Sequence, residues 1–273
     1  MVSVIVVTFN SSETVLDTLD SIYLQTYTPL ELIVSDDHSK DNTIEKVNGW
    51  IDSHQERFEH VQVIESSENT GVAPNCNRGF SVAKGDFVQI IAGDDLLLPN
   101  AIAEKVAFAE NHGYDYVLCK TEPFGENQQN VKAVQKWCEE GYRIIREGYA
   151  SQLDHIFCDN FIAGPSGAFY RSSFLRGFGG FDEDYPMLED YPFIYRYIKN
   201  GNELYLLDKV LSKYRISNSS LSGASKNPRN SPMWKCHWDF FFKERLRDLI
   251  KRGEIKTAAY QLCRYGYNRF ILR

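Results

Sequence analysis

No window of the sequence approaches the roughly 18 consecutive apolar residues that a bilayer-crossing helix needs, which argues against an integral membrane protein. The apolar start MVSVIVVTFN lacks both a basic leader and a small-residue cleavage site, and reads as a strand rather than a signal peptide. The six cysteines, Cys76, Cys119, Cys138, Cys158, Cys236 and Cys263, include no C-x-x-C pair, so the spacing favours neither a zinc site nor a disulfide framework and fits reduced, cytoplasmic thiols. The segment VTFNSSET has neither the lysine nor the glycine of a phosphate-binding loop, which weighs against a nucleotidyltransferase. Internal repeats and low-complexity stretches are missing. Excess positive charge is missing too: the 273 residues carry a net charge of −7, and no nucleic-acid recognition motif is present. The last forty residues differ, with ten Lys and Arg against four Asp and Glu.

What is present is a repeating alternation. Residues 2–7 form a continuous β-branched run suited to a strand covered on both faces. Asn10 with Glu13 has the spacing of a capping box, and Val15, Leu16, Leu19, Ile22 and Tyr23 recur at helical intervals. Residues 30–35, 61–66 and 87–92 read as further strands. Helical spacing follows at Ile44, Val47 and Ile51, and again at Ile102, Ala103, Val106 and Ala109, stopping near Gly113. Such alternation predicts a doubly wound α/β sheet, whose ligands collect at the carboxyl ends of the strands. Residues 121–165 carry no pattern that resolves into elements. Beyond them, residues 167–171 and 204–215 read as extended and 188–201 as helical, and the tail reads as one or two basic, aromatic helices.

Two strands of this sheet end in paired carboxylates, Asp36-Asp37 and Asp94-Asp95, and a third acidic pair, Glu189-Asp190, follows the glycine-rich turn at 177–180. Acids at strand ends also serve as turn formers and helix caps. Three pairs invite a different reading: one to hold a nucleobase N–H, one to present hard oxygen donors to Mg²⁺ or Mn²⁺, and one to supply a general base.

The order VSVIVVTFN, QTY, SDDHSKDNT, NTGVAPNCNRG, IIAGDDLLLP, GGFDEDYPMLEDY, KYRIS resembles the family 2 glycosyltransferases over about residues 1–223. The resemblance implies the GT-A fold, a mixed but mostly parallel doubly wound sheet with helices on both faces, and an inverting, metal-dependent transfer from a nucleotide-sugar donor, UDP-linked, with Mn²⁺ or Mg²⁺ as cofactor. Carried over position by position, Thr8, Phe9 and Asn10 lie along the nucleoside, Asp37 holds the base, Asn77 sits by the ribose or phosphates, Asp94 reaches the ribose and Asp95 the metal. Asp190 is the catalytic base, with Glu189 its competitor, and Tyr214 and Arg215 close over the diphosphate. The family context also implies a glycan acceptor, lipid-linked, in surface polysaccharide (O-antigen or capsule) synthesis at the cytoplasmic face of the inner membrane.

Two positions depart from the family pattern. His38 stands where glycine is usual, and His tolerates a left-handed backbone. Ser217 stands where many relatives carry a histidine, which leaves open weaker metal dependence or a substitute ligand from the serine-rich stretch. Residues 224–273 are expected to form an appendage. Trp234, Trp238, Phe240, Phe241 and Phe242 beside Lys243, Arg245, Arg247, Lys251 and Arg252 fit either a helix packed on the catalytic domain or peripheral contact with anionic lipid heads. The alternative to an enzyme is a sugar-nucleotide-binding or interaction module on the same fold.

Overall fold

A computed structural model describes residues 1–162, 165–216 and 231–270. Ser217, Gly164 and the residues 217–230 that contain the serine-rich stretch lie outside the described residues. The strands are β1 (Val2–Thr8), β2 (Leu30–Asp36), β3 (His60–Glu65), β4 (Phe87–Ala92), β5 (Leu96–Leu97), β6 (Tyr116–Phe124), β7 (Ala168–Arg171) and β8 (Tyr205–Arg215). They form one sheet in the order β3-β2-β1-β4-β7-β6-β8-β5. The half that runs β3-β2-β1-β4 is parallel, as is the β6–β8 pair, whereas β7 is antiparallel to both its neighbours and β5 to β8.

The continuous apolar run of β1 follows from burial on both faces. Val2, Val4 and Val6 enter a core with Val15, Leu19 and Ile22 of α1 (Val15–Tyr23), Val47 of α2 (Thr43–His54) and Ile102 of α4 (Ala101–His112). Ile5 and Val7 face the other way, onto Ala73, Cys76 and Phe80 of α3 (Val72–Val82). Alternate residues of one strand thus build two cores, as a period of two requires. The helix ending near Gly113 does so through that glycine in a left-handed conformation, φ 70°.

Three local expectations need correction. Asn10 does not cap α1: the helix begins at Val15, and the N–H groups of Thr14 and Val15 bond instead to Ser11 O. Residues 69–79, read only as a motif, lead into α3, whose glycine and asparagines hide its helical character. A Cβ at Gly79 would lie 2.4 Å from Ile5 Cγ2, so glycine is what lets α3 approach β1. Residues 121–165 hold the 19-residue α5 (Gln128–Arg146) and α6 (Tyr149–Ile156). Asn127 caps α5 by accepting from the N–H groups of Gln129 and Asn130, both at 3.1 Å.

After α7 (Ser172–Gly177) and α8 (Asp190–Lys199), the tail contributes α9 (Pro232–Phe240), a π-turn over Phe241–Arg245, α10 (Leu246–Lys251) and α11 (Ile255–Phe270). Trp238, Phe240 and Phe241, three of the aromatics that fitted either a packed helix or a membrane face, are buried in the core shared with Tyr191, Phe193 and Tyr195 of α8. Arg245 is also buried, donating to Phe157 O and Cys158 O. Among the described residues no helix is long and apolar enough to cross a membrane.

Candidate active site

The parallel register aligns the ends of three strands: Thr8 pairs with Asp36, and Val7 with Ala92. The loops beyond them, at 9–11, 37–42 and 93–95, therefore meet at the carboxyl edge where β1 and β4 diverge. Gly93 is packed there so closely that a Cβ would lie 2.9 Å from Thr8 Cγ2, and its carbonyl accepts from Thr14 Oγ1 at 2.7 Å.

Asp95 is fully buried. Its Oδ1 accepts the Arg215 N–H at 2.9 Å, and its Oδ2 accepts from Ser166 Oγ. Asp94 is partly exposed, and its own backbone N–H favours the charged carboxylate. Burial raises both carboxyls; the charge of Asp94 adds to the rise at Asp95, while Arg215 pulls Asp94 back. Arg215 reaches this loop from the end of β8. Its Nε donates to Asp94 O at 2.7 Å, its Nη2 pairs with Asp17 at 2.8 Å, and its guanidinium lies over the Phe124 ring.

The third acidic pair lies at the start of α8. Asp190 Oδ1 accepts the N–H of Tyr191 at 2.6 Å, and its Oδ2 accepts from Asn160 Nδ2 at 3.1 Å. Glu189 is pushed up to about 8, first by burial, then by the charge of Asp190, with a smaller push from Asp95. Asp190 is raised by burial but held down by Asn160 and the Tyr191 N–H. Pushed up to about 8, the Glu189 carboxyl favours its protonated form near neutral pH. The charge of Asp95 is thus among those that raise Glu189, so the two acidic pairs act on one another electrostatically.

Several of the expected site residues already have partners within the protein. The carboxylate of Asp37 accepts from Thr70 N, Thr70 Oγ1, Gly71 N and Arg78 Nη2, which makes Asp37 an organiser of the 70–71 loop. Thr8 is buried and spends its hydroxyl on Asp36 Oδ1 at 2.7 Å; it braces the site rather than lining it. Asn77 bonds to the segment that follows the glycine-rich turn. Its Nδ2 donates to Phe181 O at 2.9 Å and its Oδ1 accepts the Phe181 N–H at 2.9 Å, clamping the glycine-rich turn. Asn10 ties the first loop to the second by accepting the Lys40 N–H at 2.7 Å. Phe9 is 46% exposed at the strand end, open to a flat ligand. His38 does adopt the left-handed backbone, φ 68°.

Sequence reasoning missed Asn160, Ser166 and Asp17, which hold Asp190, Asp95 and Arg215. None belongs to a recognisable motif, and their partners lie 30, 71 and 198 residues away.

A twisted α/β sheet with acidic pairs at its carboxyl edge is the architecture of the GT-A nucleotide-sugar transferases. Residues 3–178 match the model of glycosyl transferase family 2, and the chain belongs to that family. It is 25% identical over 242 residues to an uncharacterised glycosyltransferase of Methanocaldococcus jannaschii, covering 87% of this chain and 79% of that one. It is 29% identical over 110 residues to an Escherichia coli UDP-Glc:α-D-GlcNAc-diphosphoundecaprenol β-1,3-glucosyltransferase, covering 40% of this chain but only 41% of that protein. Among solved structures, Staphylococcus aureus TarS 1-349 in complex with UDP-GlcNAc superposes with a TM-score of 0.70 at 21% identity, covering 99% of this chain and 76% of that one. A Pyrobaculum calidifontis mannosyltransferase in complex with GDP-Man and Mn²⁺ gives 0.61 at 19% identity, covering 97% and 74%. At these identities the structural likeness is one of fold.

Proposed function

We propose that this chain is an inverting glycosyltransferase that moves a sugar from a UDP-sugar to a hydroxyl of a glycan acceptor. The observation that carries the reading is the electrostatic interaction of Asp95, just beyond the end of β4, with Glu189 at the start of α8, beside Asp190. In this reading the acceptor O–H loses its proton to Asp190 as the oxygen attacks the anomeric carbon. A new C–O bond forms on one face of the sugar while the bond to the diphosphate oxygen breaks on the other, and the nucleoside diphosphate leaves with the electron pair. One ionised carboxylate suffices, and the proton on Glu189 keeps a second charge from competing.

The donor set fits a divalent cation. Asp94 and Asp95 are hard oxygen donors, and among the described residues no cluster of three or more His, Cys, Asp or Glu could hold a metal. That pairing suits Mg²⁺ or Mn²⁺ bound by one or two carboxylates together with substrate phosphates. A cation held there supplies Lewis-acid neutralisation of the leaving diphosphate. Arg215, beside Asp94, adds fixed positive charge to the same place. Phe9 offers its exposed ring to the base.

For the acceptor we favour a lipid-linked glycan at the cytoplasmic face of the inner membrane, in surface polysaccharide synthesis, with residues 1–223 as the catalytic unit. Support comes from the diphosphoundecaprenol acceptor named for the E. coli relative. The tail adds to it: Ile250, Ile255, Tyr260, Leu262 and Tyr267 are exposed among the basic residues Lys251 and Lys256.

The test is nucleoside diphosphate release from a panel of sugar nucleotides with Mn²⁺ or Mg²⁺ and a lipid-linked acceptor extract. Wild type should release from one donor and only with metal, and Asp95→Asn and Asp190→Asn should each lose release. Donor binding without release, indifferent to position 190, would instead identify a binding module.

A further inference from the structure

α5 carries an aromatic side chain whose position the fold of the helix does not require. Along this helix Cys138, Tyr142, Ile144 and Ile145 are buried, whereas Trp137 is 39% exposed. Leaving much of an indole in water forfeits burial free energy that the neighbouring face of the helix collects. Trp137 is nevertheless held in place. Its Nε1 donates to Asn160 O at 3.3 Å. One turn further on, Gly141 lies on the same face of the helix. A Cβ there would stand 1.9 Å from Phe161 O, so the α5 backbone touches the 160–161 segment directly.

Asn160 is the residue that Trp137 and Asp190 share. Its Nδ2 donates to Asp190 Oδ2 at 3.1 Å, and its Oδ1 accepts the Ile162 N–H at 3.1 Å, which fixes the amide. A single residue thus separates an exposed indole from the carboxylate assigned to deprotonate the acceptor. The acceptor oxygen must come within hydrogen-bond reach of Asp190, so the rest of its sugar has to lie against the surface around it. On that surface Trp137 offers a large, anchored, flat apolar area. A pyranose ring has a C–H-bearing face that packs on such an area, and its hydroxyls remain in water.

We propose that Trp137 is the platform of an acceptor subsite and stacks against a pyranose ring of the glycan whose hydroxyl Asp190 deprotonates. The assignment rests on the transferase reading given above. It concerns acceptor affinity alone and leaves the donor half of the cleft, at Asp94, Asp95 and Phe9, untouched.

The experiment uses the full chain, the donor that wild type discharges, and a panel of octyl β-glycosides as surrogate acceptors, taking forward the glycoside that wild type uses best. Trp137→Ala should raise the KM for that glycoside about tenfold or more, a loss of the size seen when a central tryptophan contact is removed. The KM for donor and the slow discharge of donor to water should stay within about twofold of wild type, because neither depends on acceptor contacts. Trp137→Phe keeps a ring but removes the N–H, and should hold acceptor KM near the wild-type value. The assignment is overturned if Trp137→Ala lowers kcat with acceptor KM unchanged, since the residue then acts only by positioning Asn160. It is equally overturned if Trp137→Phe raises acceptor KM as much as Trp137→Ala. Failure of the transferase reading looks different: wild type then discharges no donor at all, either to glycoside or to water.

Discussion

The backbone N–H of Arg215 donates to Asp95 Oδ1 at 2.9 Å, joining the end of β8 to a loop 120 residues earlier in the chain. The bond holds a carboxylate that burial and the neighbouring Asp94 make costly to ionise. Ionising Asp95 at this buried position therefore costs stability.

Asp95→Asn should expose that cost. The amide can still accept from Arg215 N–H and can donate to Ser166 Oγ, so the hydrogen bonds survive while the charge goes. In the metal-free protein the variant should melt higher than wild type at pH 8. Each kcal/mol gained corresponds to about 2–4 °C for a domain of this size. The sign follows from the raised carboxyl: its stabilising contribution is present at low pH and lost as pH rises, so the gain should shrink toward pH 4. On the proposed transferase reading, Mn²⁺ with UDP should raise the Tm of wild type and leave that of the variant unchanged. Equal melting temperatures for the two proteins at pH 8 would contradict the argument.

Glu189 titrates on the same logic. Its carboxyl is pushed up to about 8 from an ordinary value of 4.5, so the native state favours the protonated form. The stabilising contribution is complete below the unfolded value and is lost progressively as pH climbs from about 4.5 to about 8. Thermal melts in EDTA should therefore show Glu189→Gln overtaking wild type across that interval and reaching its full advantage above it. A difference independent of pH would place the proton elsewhere.

The parallel half of the fold was legible because β1, β2 and β4 are buried on both faces and their β-branched runs leave no other reading. The acidic pairs were legible for a related reason: carboxylates at strand ends have few structural uses at that density. The assignment of individual contacts was less legible. Thr8, Asp37 and Asn77 sit at the expected edge, yet their polar atoms are taken by Asp36, by the 70–71 loop and by Phe181, partners set by tertiary packing rather than by local sequence. α5 escaped for want of contrast. Its apolar stripe of Val134, Cys138, Tyr142 and Ile145 has helical spacing, but lies among so many Gln, Lys, Glu and Arg residues that the surrounding segment looks like loop.

Asn160 should set the pH at which the enzyme works. Its amide lowers the Asp190 carboxyl against the rise caused by burial. Asn160→Ala removes that support, so Asp190 should hold its proton to higher pH, and the acidic limb of the kcat profile should move upward. Donor KM should change little. A fall in kcat by the same factor at every pH would mean that Asn160 acts on geometry alone.

The tail is tied to the same place through Arg245, which is fully buried and donates to Phe157 O and Cys158 O, just before Asn160. Arg245→Met fills most of the volume but leaves those carbonyls without their charged donor. Bonds of this kind are worth roughly 1.5–3 kcal/mol each, so the variant should lose about 2–4 kcal/mol by urea denaturation. Because the lost contacts anchor the Asn160 segment, kcat should fall further than in a surface variant such as Lys251→Met. A variant as stable and as active as wild type would show that the tail does not brace the site.

Gly141→Ala tests the same segment from the opposite side, and does so without removing any hydrogen-bonding group. The added Cβ would stand 1.9 Å from Phe161 O, far inside van der Waals contact, and the atom it meets is a backbone carbonyl, so no side chain can swing aside. Either α5 lifts from the 160–161 segment or that segment moves, and in both cases Asn160 Nδ2 is drawn out of register with Asp190 Oδ2. A displacement near 1 Å at a reacting group can cost on the order of 10²-fold in rate, so kcat should fall by about that much. Donor-induced stabilisation should persist, because the bonds that hold Asp95 and Arg215 run to Ser166, to Asp17 and between the two residues themselves, none of them in α5. Loss of donor binding in parallel with kcat would mean that α5 supports the whole cleft. Retention of full kcat would mean that the catalytic carboxylate is held independently of Asn160.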